Sequence, residues 1–250
     1  MPDRPNAVMI FAAGKGTRMG ALTATRPKPL IEVAGRPLID HALDLADTAG
    51  IGRQVANLHY LPDMLAAHLG ARGVALSYET DRILETGGGL RRALPLLGPD
   101  PVFTLNADAV WTGPNPFVEL AAAWDPERMD ALLLLTPRDR ATGHTGAGDF
   151  LLQPDGRLER GPGLVYVGAQ IIRTDGLAAV EDEVFSVNLM WDAMAAAGRL
   201  YGTEHAGGWC DVGHPGGIVA ALRPEIATTA SDDRHTARAG IHGFLLDGSR

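Results

Sequence analysis

Gly14 and Gly16 bracket Lys15 in the run Phe11-Ala12-Ala13-Gly14-Lys15-Gly16-Thr17-Arg18-Met19-Gly20, straight after an apolar stretch from Ala7 to Ala12. Glycines placed in this way let a backbone come close to a phosphate and aim N–H groups at it. Lys15 and Arg18 supply charge of the sign that a triphosphate demands. Two familiar phosphate binders fail on spacing. A Walker loop needs GxxxxGK followed by Ser or Thr, and no such run exists; a dinucleotide fingerprint needs GxGxxG, whereas the glycines here fall at 14, 16 and 20. A tight strand-to-loop turn with no ligand would use the same glycines. Thr25-Arg26-Pro27-Lys28-Pro29-Leu30 follows, and its two prolines should hold Lys28 in a stiff extended segment. Positioned positive charge is what a phosphoryl or nucleotidyl transfer site requires.

Two acids have the complementary chemistry. Asp108 ends the apolar run Val102-Phe103-Thr104-Leu105-Asn106-Ala107, and Asp211 lies in Gly207-Gly208-Trp209-Cys210-Asp211-Val212-Gly213. Hard carboxylate oxygens suit Mg²⁺ where a triphosphate is cleaved. Spacing alone does not bring residues so distant in sequence together, and capping of two strand ends is the simpler account of them.

The combination Gly14-Lys15-Gly16-Thr17-Arg18-Met19, Leu22-Thr23 and Pro27-Lys28-Pro29-Leu30 resembles the signature of the sugar-1-phosphate nucleotidyltransferase family, and the similarity runs to about Leu222. Ala21 stands where the family usually has proline, and Asn106-Ala107-Asp108 replaces the usual Gly-Asp. The resemblance implies that Asp108 and Asp211 bind the catalytic metal, Mg²⁺. It also implies a nucleotide site built from Ala12, Ala13, Gly14, Lys15, Gly16, Thr17, Arg18 and Asn106, with Arg18, Lys28, Asp108 and Asp211 as the catalytic set. Leu84-Glu85-Thr86-Gly87-Gly88-Gly89-Leu90 is similar to the base-binding loop of members that use UTP or GTP, which adds Glu85, Thr86, Gly87 and Gly88; taken by itself the run is also a flexible helix start. With the short chain and Gly148-Asp149-Phe150, the pattern most resembles N-acetylmuramate 1-phosphate uridylyltransferases of cell-wall recycling, with mannose-1-phosphate guanylyltransferases as the alternative.

On the sugar-phosphate side, Asp149 in the polar loop 143–149 is a candidate for sugar hydroxyls and equally a turn acid. Glu159-Arg160-Gly161-Pro162 occupies the place of the family's Glu-Lys-Pro, so Arg160 stands where a lysine touches the sugar phosphate, although the two are not equivalent donors. Lys28 is a second candidate for that phosphate. Gly168 suits a strand that must let a sugar ring approach, or plain sheet packing.

The elements that must position these residues are short and alternate in type. Apolar runs at Ala7–Ala12, Val55–Leu58, Val74–Tyr78, Pro101–Asn106 and Ala131–Thr136 read as strands, and 38–49, 62–69, Leu90–Leu97 and Phe117–Trp124 as helices. Such alternation predicts crossover units and an α/β fold, a Rossmann-like three-layer sandwich around a mostly parallel, mixed sheet; the resemblance makes it the nucleotide-diphospho-sugar transferase type. Phe150–Leu158 reads as a hairpin, Leu164–Ile172 as a long strand and 186–197 as a helix. We expect one domain over 1–222, with 1–110 handling the nucleotide and 111–222 the sugar phosphate, and a C-terminal extension over 223–250.

Bulk properties set limits on partners. The 250 residues are 46% hydrophobic and 21% charged, with net charge −8, which disfavours nucleic acid or an anionic membrane surface. Small phosphorylated substrates need only local charge. Cys210 is the sole cysteine, so no internal disulfide forms and the cytoplasm is the expected location. No stretch approaches the ~18 apolar residues of a membrane span, and the first residues lack a signal-peptide core. Monomer and homodimer are both compatible with the sequence. The eight histidines are scattered, consistent with a reaction that needs no general base. A catalytically silent nucleotide-sensing relative, or a molybdenum-cofactor nucleotidyltransferase, are the other readings; the PKPL and LETGGG runs fit the latter less well.

Overall fold

The computed structural model describes residues 4–222. The expected extension over 223–250 therefore lies outside the described residues. The centre is a seven-stranded sheet in the spatial order Leu200–Glu204, Ala131–Thr136, Val165–Ile172, Val102–Asn106, Ala7–Phe11, Arg53–Leu58, Ala75–Tyr78. Val165–Ile172 runs antiparallel to both of its neighbours, and the other adjacent pairs are parallel. This is the mostly parallel, mixed sheet that the alternating pattern predicts.

Strand periodicity explains the three layers. Val8 and Ile10 point into one core with Ile39, Leu43, Leu65 and Phe117 from the helices Leu38–Thr48, Pro62–Gly70 and Pro116–Ala123. Ala7 and Met9 point into the other with Leu90, Leu97, Met190 and Trp191 from the helices Glu85–Leu97 and Asn188–Ala196. Both faces of the first strand are thus dry, which is why it reads as a continuous apolar run instead of an alternating one. Each of the larger aliphatic and phenylalanine side chains contributes roughly 1.5–3 kcal/mol when fully buried.

Three features were not legible in the pattern. Leu200–Glu204 adds an edge strand, Pro215–Ala221 forms a short helix, and Trp209–Asp211 is the middle strand of a small sheet. Its partners there are Ala109–Trp111, antiparallel, and Ala141–Thr142, parallel. Strands this short carry almost no periodicity.

The chain passes from Ala7–Phe11 outward to Arg53–Leu58 and Ala75–Tyr78, then returns to lay Val102–Asn106 on the opposite side of the first strand. The crevice above the carboxyl ends of those two central strands is where open α/β sheets accept ligands. Beside it, the long strand shifts register between Tyr166 and Gln170, and Gly168 sits in the shift at φ 84°. A Cβ there would stand 2.8 Å from Asn106 Nδ2 and 2.9 Å from Asn106 Cβ. Gly168→Ala should therefore cost about 1–3 kcal/mol through backbone strain and displacement of Asn106; a lowered urea midpoint measures it.

Candidate active site

The crevice holds a cavity of about 330 Å³ lined by residues from the glycine loop, by Lys28 and Pro29, by Glu85 and Thr86, and by Asn106, Ala107 and Asp108. Ala12, Ala13, Gly14, Gly16, Thr17 and Arg18 all face it, whereas Lys15 is exposed and does not line it. Gly16 has φ 65° and ψ 33°, and a Cβ there would lie 2.9 Å from both Lys28 Cβ and Thr23 Cγ2. Both conformation and space therefore demand glycine. Thr23 donates its hydroxyl to Gly16 O at 3.1 Å, so the Leu-Thr pair closes the loop against the lysine that follows.

Lys28 does not lie in an extended stretch. Pro27 is extended, at φ −67° and ψ 145°, but Lys28–Leu30 forms a 3₁₀ turn closed by Ile31 N–H donating to Lys28 O at 3.0 Å. A fixed proline φ suits either conformation, so the prolines alone did not decide between them. The turn buries the Lys28 stem and delivers Nζ to Asp108 Oδ2 at 2.5 Å.

The two aspartates meet through backbone pairing. Asp211 is opposite Ala109 in the small sheet, and Val212 N–H donates to Asp108 O at 2.8 Å. Asp211 Oδ1 accepts Gly213 N–H at 2.6 Å, and Gly213 itself lines the cavity. A Cβ at Gly213 would stand 2.6 Å from Asp211 Oδ1 and 3.0 Å from Arg18 Nη2, so both side chains close around that glycine. Arg18, Lys28 and Asp108 thus line the cavity, whereas Asp211 is absent from its lining and sits just behind it, on backbone adjoining Asp108 and beside Gly213.

The Asp108 side of the cavity suits a small divalent cation. Among the described residues no group of three or more His, Cys, Asp or Glu is arranged to cage a metal. Mg²⁺ does not need one, since it commonly takes one or two carboxylates and completes its shell with substrate phosphate and water. Asp108 and Asp211, whose backbones adjoin, are the two carboxylates that could hold it.

A buried polar chain missed by the sequence reading supports the opposite wall. Ala12 N–H donates to Asn57 Oδ1 at 2.7 Å, Asn57 Nδ2 to Glu79 Oε1 at 2.7 Å, and Leu84 N–H to Glu79 Oε2 at 2.8 Å. The apolar strand therefore stops at Phe11 because the next N–H leaves the ladder for Asn57. Asn57 also lines the cavity. The two available signals were a polar residue inside the run Val55–Leu58 and a glutamate just after the strand Ala75–Tyr78.

Several predicted contacts lie elsewhere. Gly87 and Gly88 are buried away from the cavity lining, and both donate their N–H groups to Phe185 O, at 2.9 and 3.1 Å. Their lack of side chains admits Phe185 and the Glu183 carbonyl, and Gly89 admits Glu79. Glu85 does reach the cavity, from the unusual φ of 59°, and Thr86 Oγ1 accepts Val187 N–H at 2.9 Å. Asp149 accepts Tyr166 N–H at 2.9 Å, pinning the hairpin to the long strand. Arg160 donates to Asn188 and Asp192 and stacks over Phe150, 4.7 Å from the ring centre. Gly168 packs beneath Asn106. None of these last three lines the cavity.

Asn57→Ala would leave Ala12 N–H and the Glu79 carboxylate short of partners. A loss of about 1–3 kcal/mol in stability is expected, together with weaker nucleotide binding; chemical denaturation and calorimetric titration with nucleotide check the two parts.

A family model for the MobA-like NTP transferase domain matches residues 8–242. N-acetylmuramate alpha-1-phosphate uridylyltransferase of Caulobacter vibrioides is 42% identical over 236 residues, covering 88% of this chain and 97% of that protein. Mannose-1-phosphate guanylyltransferase catalytic subunit beta of Danio rerio is 26% identical, covering 95% of this chain and 69% of its own. Among solved structures, the inositol-1-phosphate CTP transferase from T. maritima shares the fold with a TM-score of 0.73 at 14% identity, covering 98% of this chain and 100% of that one. The crevice at the strand switch, its glycine loop and these similarities agree: the chain belongs to the MobA-like NTP transferase family and is a nucleotidyltransferase.

Proposed function

We propose that the protein joins UTP and N-acetylmuramate 1-phosphate to give UDP-N-acetylmuramate and pyrophosphate. The observation that carries the reaction class is the meeting of Arg18, Lys28 and Asp108 in the crevice, with Asp211 on the backbone that adjoins Asp108. The sugar and the nucleotide rest on the similarity to the Caulobacter vibrioides uridylyltransferase. A role in cell-wall recycling, in the cytoplasm, is part of the same proposal. Among the described residues no helix is long and apolar enough to cross a membrane.

A phosphate oxygen of the sugar 1-phosphate attacks the α-phosphorus of UTP, in line with the bond to the departing group. One P–O bond forms as the other breaks, and pyrophosphate leaves with the electron pair. The attacking oxygen is already ionised at neutral pH, so no side chain has to remove a proton. The protein's task is to align the partners and offset charge. Lys28 faces the α-phosphate or sugar phosphate, its Nζ held in place by Asp108. Arg18 and the backbone of the glycine loop, from Ala12 to Thr17, take the β- and γ-phosphates. Glu85, Thr86 and Asn106 border the nucleoside from the other side. A bound Mg²⁺, held by Asp108 and Asp211, would supply Lewis-acid neutralisation of the triphosphate. Arg160 and Asp149, engaged with their own neighbours, are assigned no substrate contact.

The second reading is GTP with mannose 1-phosphate, favoured by the Danio rerio relative. Pyrophosphate release measured with UTP or GTP against a panel of sugar 1-phosphates decides between them. Maximal kcat/KM with UTP and N-acetylmuramate 1-phosphate is expected; preference for GTP and mannose 1-phosphate would overturn the choice of substrates. No turnover with any pair would instead indicate a nucleotide sensor.

Lys28→Ala and Asp108→Asn should each lower kcat about a hundred- to a thousand-fold, with a cooperative thermal transition retained. Chelation of divalent cations should abolish pyrophosphate release, and added Mg²⁺ should restore it.

A further inference from the structure

His205 has no solvent exposure, yet both of its ring nitrogens face acceptors. Nδ1 contacts Glu119 Oε2, and Nε2 lies 3.1 Å from the Thr112 carbonyl oxygen. A carbonyl accepts only, so Nε2 carries a proton; the Nδ1–Glu119 contact then needs one more, shared between ring and carboxylate. The cluster is complete as an imidazolium–carboxylate pair. Trp111 packs edge-on against the ring at 5.2 Å. The other charged groups are Arg140, which donates to His205 O, and Glu204, which receives the other arm of Arg140. Glu119 is held as well, its Oε1 accepting Ala206 N–H at 3.0 Å.

These contacts fix the turn that launches the strand bearing Asp211. Gly208 exchanges hydrogen bonds with Thr112, its N–H donating to Oγ1 at 3.0 Å and its carbonyl accepting Thr112 N–H at 2.9 Å. Gly207 leaves no room for a Cβ against the Thr112 carbonyl and His205 Nε2. From that anchor the register runs Trp209 opposite Trp111, Cys210 opposite Val110 and Asp211 opposite Ala109, ending at Val212 N–H on Asp108 O. A one-residue slip would turn Asp211 to the other face of the small sheet.

We propose that the buried His205–Glu119 pair is a positioning device for the divalent-cation site, locking Trp209–Asp211 so that Asp211 stands beside Asp108. The proposal rests on the assignment of Asp108 and Asp211 as the cation ligands. Glu119→Gln has a specific consequence. Its amide can donate to an unprotonated Nδ1 while its carbonyl keeps Ala206 N–H, so every partner is satisfied with a neutral ring.

Mn²⁺ binding, followed by electron paramagnetic resonance in the presence of UTP, tests the device without turnover. The double variant His205→Leu/Glu119→Leu removes both charges together and so avoids a lone buried ion. It should bind Mn²⁺ about ten- to a hundred-fold more weakly than the unmodified protein. Amide exchange over residues 207–213 should also quicken. Glu119→Gln, which keeps every hydrogen bond of the cluster, should bind Mn²⁺ like the unmodified protein. Undiminished Mn²⁺ affinity in the double variant, or an equal weakening in the hydrogen-bond-preserving Glu119→Gln, would overturn the proposal while leaving the cation site intact. Absence of Mn²⁺ binding by the unmodified protein would remove the cation site and the proposal together.

Discussion

The parallel pairing of Ala7–Phe11 with Val102–Asn106 is the constraint on which the site depends. Two strands joined this way must end at the same edge of the sheet, and Phe11 is registered directly against Asn106. Whatever follows either strand is therefore delivered to the same place: a glycine loop from one, Ala107 and Asp108 from the other. Because the chain leaves the first strand in one direction and comes back on its other side, no crossover connection covers that edge. The pairing is held by side chains buried on both faces, so the position of the crevice is set by the hydrophobic core and does not depend on its polar residues.

Close approach of backbone does the rest. Gly16 lets the loop lie on the Lys28 stem, Gly168 lets the long strand pass over Asn106, and Gly87 to Gly89 let a helix start against Phe185, Glu183 and Glu79. A glycine inside a helix costs about 1 kcal/mol relative to alanine. Three in succession are tolerable here because the contacts they admit bring the second half of the chain, residues 183–187, against the corner that carries Glu85 and Thr86. That side of the crevice is thus shaped partly by residues far along the chain.

The crevice carries no surplus of positive charge. Lys28 and Arg18 are set against Asp108, Asp211 and Glu85, so a triphosphate would not be drawn by an excess of positive charge. The arrangement depends on position: each charge is tied to a paired strand, a proline-bounded turn or a glycine that admits only one packing. Asn57 and Glu79 extend the same logic below the surface, where their burial makes complete hydrogen bonding a requirement.

How much of this was legible in the sequence follows from the range of each interaction. Period and run length are local, so the apolar run at 7–12, the helix at 38–49 and the alternation that demands a parallel sheet could be read directly. Chemical type is local too, and Gly14, Gly16, Lys28 and Asp108 could be singled out by residue and context. Long-range pairing is not local. Nothing in Gly207–Gly213 indicates that it pairs beside Asp108, nothing in Gly87 and Gly88 says that their N–H groups belong to Phe185, and Arg160 gives no sign that Asn188 and Asp192 will claim it. Sequence determined which groups were available and which elements would carry them. Only the tertiary structure decided which groups share a wall, because each backbone N–H and each side-chain donor has many chemically equivalent acceptors, and packing alone selects one.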